Sequence, residues 1–254
     1  MPAGPECWHD RHVPRGLRTI TPVLPSEMRM QDGLAYSLWL PEAALAPRGG
    51  IVILHGADSC KENHHDFARA ALGAGFATLA FDQRGHGESP GPMRASALSD
   101  VAAMAALLRE RIGEEATPVA LRGSSMGGYL AILSAPLAHA QAVVAICPAS
   151  GEGLRRGLLS GAFQFDADVP GLERMLSSHD LHAAVESLTI PLLLLHAEGD
   201  EQVPVEHSRE LAERSGVPAS RLIAVPGGHH RSVQHDPELR AISLRWLSRV
   251  LSTS

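Results

Sequence analysis

The chain has 254 residues, of which 44% are hydrophobic, 20% are charged and 4% are aromatic, so it is long enough to bury a large aliphatic core. Its formal net charge of -6 at pH 7 argues against nucleic acid and anionic membrane surfaces as partners. The three cysteines are widely spaced and no apolar run has the length of a membrane span, so we expect reduced thiols in a cytoplasmic protein.

The N-terminal part of the sequence predicts an irregular arm followed by one edge strand. The first 30 or so residues are polar, contain several prolines and lack the apolar region of a signal peptide. Residues 33–41 alternate loosely between apolar and polar side chains, which is typical of a strand at the edge of a sheet. A turn is predicted at 47–50.

From residue 50 onward, short apolar runs alternate with amphipathic segments, which predicts strands alternating with helices. Such alternation indicates βαβ units and an α/β fold, with a mostly parallel central sheet and helices on both faces. The predicted strands cover 50–56, 76–82, 117–123, 140–148, 190–200 and 220–228, and the predicted helices cover 64–75, 98–112, 126–136, 205–214 and 239–250.

One long interruption, 149–188, occupies a place where a single crossover connection is expected. We therefore expect one domain over 1–254 with a small, cap-like helical insertion at about 149–188, lying over the sheet edge where open α/β sheets bind ligands. Its apolar side chains would line a substrate pocket or pack the insertion onto the core, and its arginines would meet an anionic group or solvent. These residues are Phe163, Phe165, Leu172 and Met175, and Arg155, Arg156 and Arg174.

The stretch GSSMGG (123–128) follows a predicted strand and precedes a predicted helix. A nucleophile elbow needs glycine two residues before and two residues after its serine, because the turn is too tight for side chains there. Ser125 meets this requirement with Gly123 and Gly127, whereas Ser124 does not. The N-terminus of the following helix would favour negative charge that develops beside Ser125. The alternative is a small-residue turn without chemistry.

A serine nucleophile needs a base, and the base needs a carboxylate that orients it. The acid candidate is Asp200, which follows a predicted strand, and its competitors are Glu198 and Glu201. The base candidates are His229 and His230, which stand in a glycine-rich loop after the last predicted strand. Spacing alone does not separate the two histidines.

Five stretches, in their order along residues 30–252, resemble the α/β-hydrolase family of serine hydrolases. Within that family the chain is similar to the monoacylglycerol-lipase, acyl-esterase and serine-aminopeptidase-like group. The stretches are LHGADSCKEN (54–63), FDQRGHGES (81–89), GSSMGG (123–128), HAEGDEQVP (196–204) and PGGHHRS (226–232).

The resemblance implies the α/β-hydrolase fold and a catalytic triad in which Ser125 is the nucleophile, Asp200 the acid and His230 the base. It also implies an oxyanion hole formed by the backbone N–H groups of Ala57 and Met126. No metal or organic cofactor is expected, because the 14 histidines of the sequence form no metal-binding motif. The oligomeric state stays open.

The activity that the resemblance implies is hydrolysis of a small-molecule carboxylic ester or thioester through an acyl-enzyme intermediate. Hydrolysis of an amide, as in aminopeptidases, or of a carbon–carbon bond is an alternative, because the fold alone does not decide the reaction. A non-catalytic ligand-binding protein is a further alternative. We expect Asp82, Arg84, His86 and His55 to form hydrogen bonds that hold turns near the site, without reacting themselves.

Overall fold

The computed structural model describes residues 22–42, 46–113 and 116–252. Its centre is an 8-stranded sheet with the strand order β1-β2-β4-β3-β5-β6-β7-β8. β1 and β2 are antiparallel to their neighbours, and all pairs from β4 to β8 are parallel. The strands are β1 Glu27–Gln31, β2 Leu34–Trp39, β3 Gly50–Leu54, β4 Ala77–Phe81, β5 Val119–Ser124, β6 Ala142–Ile146, β7 Leu192–Ala197 and β8 Arg221–Val225.

Helices cover both faces of this sheet, which confirms the predicted α/β fold class. A short 3-10 helix, Lys61–His64, precedes the first of them. The helices are α1 His65–Gly73, α2 Ala97–Ile112, α3 Met126–Ser134, α4 Gly151–Leu159, α5 Val169–Ser178, α6 Leu181–Ser187, α7 Val205–Arg214, α8 Ser232–His235 and α9 Pro237–Leu251. Among the helices so described, none is both long and apolar enough to cross a bilayer.

Side chains along the central strands point alternately to the two faces of the sheet and contribute to one hydrophobic cluster on each face. In β3, Val52 and Leu54 pack on the face covered by α2 and α3, whereas Ile51 and Ile53 pack on the face covered by α1 and α9. All residues of β3, β4, β5, β6 and β7 are buried. Because both faces of these strands are covered, their sequences are near-continuous apolar runs.

The N-terminal side of the sheet differs from the prediction. The predicted edge strand at 33–41 corresponds to β2, which is an inner strand because β1 pairs with it on one side and β4 on the other. β1 lies inside the predicted irregular arm and is the true edge. All but the first of its five residues are exposed, so its sequence carries no buried-strand signal. The rest of the arm, residues 1–21 with Cys7, lies outside the described residues.

The strand order reverses at β3, which lies between β4 and β5. Open α/β sheets bind ligands at the carboxyl ends of their strands beside such a reversal. The segment 149–188 connects β6 to β7 and contains α4, α5 and α6. Residues of this segment share a cavity with the loop after β3 and the turn after β5.

Candidate active site

The turn between β5 and α3 holds Ser125 in a strained backbone conformation. Its φ is 53° and its ψ is -118°, a combination that side-chain-bearing residues rarely adopt. A Cβ atom on Gly123 would collide with the carbonyl oxygen of Gly127, and one on Gly127 would collide with the carbonyl oxygens of Leu54 and His55. These collisions are the physical reason for glycine at both positions, as the spacing of GSSMGG predicted.

Ser125 lines a cavity of about 470 Å³ at the carboxyl edge of the sheet. Its walls are formed by the loop after β3, the segment 149–188, the loops after β7 and β8, and residues of α7 and α8. His230, in the loop after β8, lines the same cavity. The fold therefore brings a serine and a histidine that are far apart in the sequence to one opening.

Asp200 and His230 form a buried pair beside this cavity. The Asp200 carboxylate is fully buried in the loop after β7, and its Oδ2 atom lies 2.6 Å from Nδ1 of His230. Its Oδ1 atom accepts hydrogen bonds of 2.9 Å from the backbone N–H groups of Gln202 and Val203. Because Nδ1 of His230 is engaged with the carboxylate, Nε2 is the nitrogen left for a reacting group.

A second histidine, His196 of β7, also approaches the carboxylate of Asp200. Its Nε2 atom lies 3.4 Å from Oδ2 of Asp200 and 2.9 Å from the carbonyl oxygen of Val203, and its Nδ1 atom lies 2.7 Å from the hydroxyl of Ser208. Burial by itself raises the pKa of Asp200, but the hydrogen bonds from His196, His230 and the two backbone N–H groups lower that pKa well below its usual range. Asp200 is therefore an anion at neutral pH.

His196 was not among the sequence-predicted site residues. The available signal was its position four residues before Asp200, at the end of an apolar strand.

Of the two adjacent histidines, His230 contacts the acid and His229 does not. His229 is exposed, and its backbone N–H donates a 3.0 Å hydrogen bond to Oγ of Ser232. Its Nδ1 atom accepts a 3.3 Å hydrogen bond from the backbone N–H of Arg231. These contacts hold the loop and leave His230 as the histidine of the buried pair.

The competing acids have other surroundings. Glu198 forms a 2.8 Å ion pair with Arg209 of α7, and both side chains are partly exposed. Glu201 is exposed. Neither carboxylate is within ion-pair distance of His230 among the described residues, so Asp200 is the acid that the fold brings to this histidine.

The two predicted oxyanion-hole residues belong to segments that pass close to Ser125. Met126 is the first residue of α3, so its N–H has no acceptor within the helix. Ala57 follows β3 and lines the cavity. A Cβ atom on Gly56 would lie 3.3 Å from Cβ of Ser125, which means that the backbone before Ala57 passes close to the serine.

Hydrogen bonds connect the loop after β3 to the turn after β4. Nε2 of His55 accepts a 3.0 Å hydrogen bond from the backbone N–H of Gln83, whose side-chain amide donates a 2.7 Å bond to the carbonyl oxygen of His55. The buried Asp82 carboxylate binds the backbone N–H of Lys61 at 2.7 Å and its Nζ at 2.8 Å. Arg84 forms a 2.9 Å ion pair with Asp100. These residues hold the loop that carries Ala57.

Comparisons with known proteins agree with this architecture. A sequence model of the family described as serine aminopeptidase, S33, matches residues 46–165. A monoacylglycerol lipase of Mycolicibacterium smegmatis is 27% identical to the chain, and the match covers 82% of the chain and 89% of the lipase. The protein YfhR of Escherichia coli is 28% identical, and the match covers 80% of the chain and 72% of YfhR.

A solved structure supports the same assignment at the level of the fold. Est1E from Butyrivibrio proteoclasticus, in the structure with bound ferulic acid, superimposes with a TM-score of 0.70 at 22% sequence identity. The match covers 87% of this chain and 96% of Est1E. The strand order, the turn at Ser125 and these similarities show that the chain has the α/β-hydrolase fold.

Proposed function

We propose that this protein is a serine hydrolase that cleaves carboxylic esters or thioesters through an acyl-enzyme intermediate. Ser125 is the nucleophile, His230 the general base and acid, and Asp200 the carboxylate that orients the base. One observation carries the proposal: a histidine bound at 2.6 Å to a buried carboxylate lines the same cavity as a serine on a strained turn. A strained residue at a cavity is a typical sign of a reacting group.

In the proposed reaction, Ser125 Oγ attacks the acyl carbon while Nε2 of His230 accepts the hydroxyl proton. The leaving alcohol or thiol takes that proton from His230, and the acyl group stays on the serine. A water molecule then attacks the acyl carbon and gives a proton to His230, which returns it to Ser125 as the acid product leaves. Asp200 stabilises the imidazolium that forms in each step.

The tetrahedral intermediate of each step carries negative charge on the former carbonyl oxygen. The backbone N–H groups of Ala57 and Met126 bind this oxygen in our proposal, and one such donor is worth about 3 kcal/mol of barrier. Both donors belong to the main chain, so their side chains are free to vary.

The similarity to a monoacylglycerol lipase favours esters over other substrates. The match to the serine aminopeptidase family keeps amides as the second candidate. A panel of acyl esters, acyl thioesters and aminoacyl anilides separates these classes. We expect the highest kcat/KM for an ester or a thioester.

The test compares Ser125→Ala with Ser124→Ala, since both serines line the cavity. We expect Ser125→Ala to lower kcat for short p-nitrophenyl esters at least about a thousandfold. Ser124→Ala should keep most of the activity. Wild-type turnover by a folded Ser125→Ala variant would falsify the proposal. If the wild-type protein hydrolyses nothing and a fluorophosphonate fails to label Ser125, a non-catalytic ligand-binding role is favoured.

A further inference from the structure

Two histidines and a glutamate form a cluster between α6 and α7, outside the proposed triad. One ligand atom from each of His182, His207 and Glu210 lies within 4.8 Å of the other two. His182 belongs to α6, and the other two residues are three positions apart on α7. His207 also lines the cavity that contains Ser125. The cluster therefore joins the segment 149–188 to the wall of the candidate active site.

The hydrogen bonding of this cluster is incomplete. The Nε2 atoms of His182 and His207 are buried and have no hydrogen-bond partner within the described part of the chain. Nε2 of His182 lies 3.4 Å from Oε2 of Glu210, which is within ion-pair distance but does not give a hydrogen bond. Buried polar atoms without partners are uncommon and need a physical explanation. A bound cation would satisfy all three groups.

A histidine coordinates a metal ion through a ring nitrogen, and the unpartnered Nε2 atoms of His182 and His207 offer such nitrogens on two neighbouring helices. Oδ1 of Asp180 lies 3.9 Å from Nδ1 of His182, which is too far for a hydrogen bond, and it accepts hydrogen bonds from the backbone N–H groups of His182 and Ala183.

We propose that His182, His207 and Glu210 bind a divalent transition-metal ion of the zinc type. Two imidazoles and one carboxylate form a donor set that Zn²⁺ accepts, with water in the fourth position. Ligand atoms about 2.1 Å from a tetrahedral ion lie about 3.4 Å from one another. The Glu210 side chain is exposed, so it is free to rotate toward the ion, and its exposure gives the ion a path from solvent.

The bound ion would connect α6 to α7 and hold the segment 149–188 against the cavity wall. Binding to the folded state alone raises the unfolding temperature in proportion to the logarithm of the free metal concentration. The sequence predicted no metal site because its ligands come from two helices that meet only in the tertiary structure.

The test is titration of the metal-free protein with Zn²⁺ by calorimetry and with Co²⁺ by visible absorption. We expect one ion per chain and a rise in unfolding temperature with Zn²⁺. His207→Asn and Glu210→Gln should each weaken Zn²⁺ binding at least about tenfold. His139→Asn and Glu213→Gln are matched controls that should bind as the wild type does. Absence of binding at about 1 mM Zn²⁺, which corresponds to a very weak site, would overturn the proposal.

Zn²⁺ could also bind the proposed triad, so a further variant separates the two places. His230→Ala should keep the wild-type affinity for Zn²⁺, because the cluster does not include it. If His230→Ala loses the ion while Glu210→Gln keeps it, the ion sits at the triad and the proposed site is wrong. Glu210 is exposed, so this variant is expected to fold.

A separate observation concerns the charge of the cavity. Arg156 of α4 and Arg231 of the loop after β8 both line it, and neither has an ion-pair partner among the described residues. The neighbouring Arg155, in contrast, pairs with Glu173 at 3.2 Å. Asp58 is the acidic residue of the described cavity lining, and its carboxylate accepts a 2.7 Å bond from the backbone N–H of a residue in the segment 149–188.

We infer that the substrate carries a carboxylate, which Arg156 and Arg231 bind; this inference rests on the proposed function. The whole chain has a net charge of -6, whereas the described lining holds two exposed guanidinium groups and one carboxylate, so the cavity departs locally from the overall charge. A cationic cavity raises the local concentration of an anionic substrate, and salt weakens this effect.

The test compares a neutral p-nitrophenyl butyrate with p-nitrophenyl hemiglutarate, which carries a free carboxylate. The wild-type protein should have the higher kcat/KM for the anionic ester at low salt. Arg156→Gln and Arg231→Gln should each lower the ratio of anionic to neutral kcat/KM about tenfold. Arg155→Gln is the matched control and should leave the ratio unchanged. An unchanged ratio in Arg156→Gln and Arg231→Gln overturns the inference while the neutral ester still reports the proposed hydrolase activity.

Discussion

At the residue scale, Asp200 is held as an anion by its neighbours and not by water. Its carboxylate is fully buried, yet two histidines and two backbone N–H groups surround it. These contacts more than offset the desolvation that burial imposes, so the carboxylate can hold one tautomer of His230 at neutral pH. In the proposed reaction, the role of Asp200 therefore depends both on its negative charge and on the orientation of its hydrogen bond to His230.

Asp200→Asn separates charge from shape at this position. The amide keeps an oxygen for the backbone N–H groups, but it loses the charge that stabilises protonated His230. We expect kcat for a p-nitrophenyl ester to fall about ten-thousandfold, as expected when a triad acid becomes its amide. Glu201→Gln, an exposed neighbour, is the control. Equal kcat for Asp200→Asn and the control would exclude Asp200 as the acid.

The elbow glycines allow a second test at this scale. Gly123→Ala places a Cβ atom inside the carbonyl of Gly127, where neither backbone can move freely. We expect the free energy of unfolding to fall by at least about 3 kcal/mol. Gly73→Ala is the control because its Cβ atom would meet open space at the end of α1. The free energy of unfolding of the control, measured by urea denaturation, should lie within about 1 kcal/mol of the wild-type value.

The site could be predicted from the sequence as far as local geometry determines it. Ser125 follows from glycine spacing, because steric exclusion at a tight turn acts over five residues. The choice of His230 over His229 needed the family resemblance. The two histidines are adjacent in one loop, so their distances along the chain from Ser125 and Asp200 do not separate them. The contact of His196 with Asp200 depends on how the loop after β7 folds back, and no spacing rule describes that.

At the element scale, strand burial decides what the sequence could predict. β3 to β7 are covered on both faces, so their apolar runs stand out in the sequence. β1 is held by hydrogen bonds to β2 and exposes its side chains, so no apolar pattern predicts it. The four-residue α8 is too short for a helical periodicity and was missed for that reason.

The structure of the segment 149–188 distinguishes the two roles considered for its apolar side chains, which were to line a substrate pocket or to pack the segment onto the core. Leu172 and Met175 of α5 are buried against α3, and the apolar space among these side chains is only about 10 Å³. That is too small for an acyl group, so these two residues pack the segment onto the core. Phe163 belongs to both regions, since it lines this space and the larger cavity.

Leu172→Ala tests this packing role. Removing a buried leucine side chain should lower the free energy of unfolding by about 2–5 kcal/mol. The new space would adjoin Phe163, so the preferred p-nitrophenyl ester should shift to a longer acyl chain. Leu159→Ala, at a position that is 49% exposed, is the control and should change stability by less than about 0.5 kcal/mol. Unchanged stability in Leu172→Ala would contradict the packing role.

At the scale of the whole molecule, the arrangement around β3 links stability to pH. His55 and His64, which flank the loop after β3, are almost fully buried. Burial and the neighbouring His86 lower the pKa of His55 to about 4. Burial and the charge of Arg122 lower the pKa of His64 well below its usual value. The His55 ring is therefore neutral in the folded protein at pH 5, the pKa of the His64 ring is shifted in the same direction, and both rings titrate near pH 6.5 in the unfolded chain.

Between pH 6.5 and pH 5 the unfolded chain binds protons that the folded protein does not, so stability must fall as pH falls. His55 alone contributes a loss of about 2 kcal/mol at pH 5, and the lowered pKa of His64 adds a loss of the same sign. The pKa of Asp200 is also lowered, but the stability that this carboxylate contributes is lost only below about pH 4, outside the window from pH 6.5 to pH 5.

Urea denaturation at pH 7 and pH 5 measures the difference in the free energy of unfolding. His64→Gln should remove part of it, whereas the exposed His139→Asn should remove none. An unfolding free energy that stays constant between pH 7 and pH 5 would mean that water reaches these rings in the folded protein.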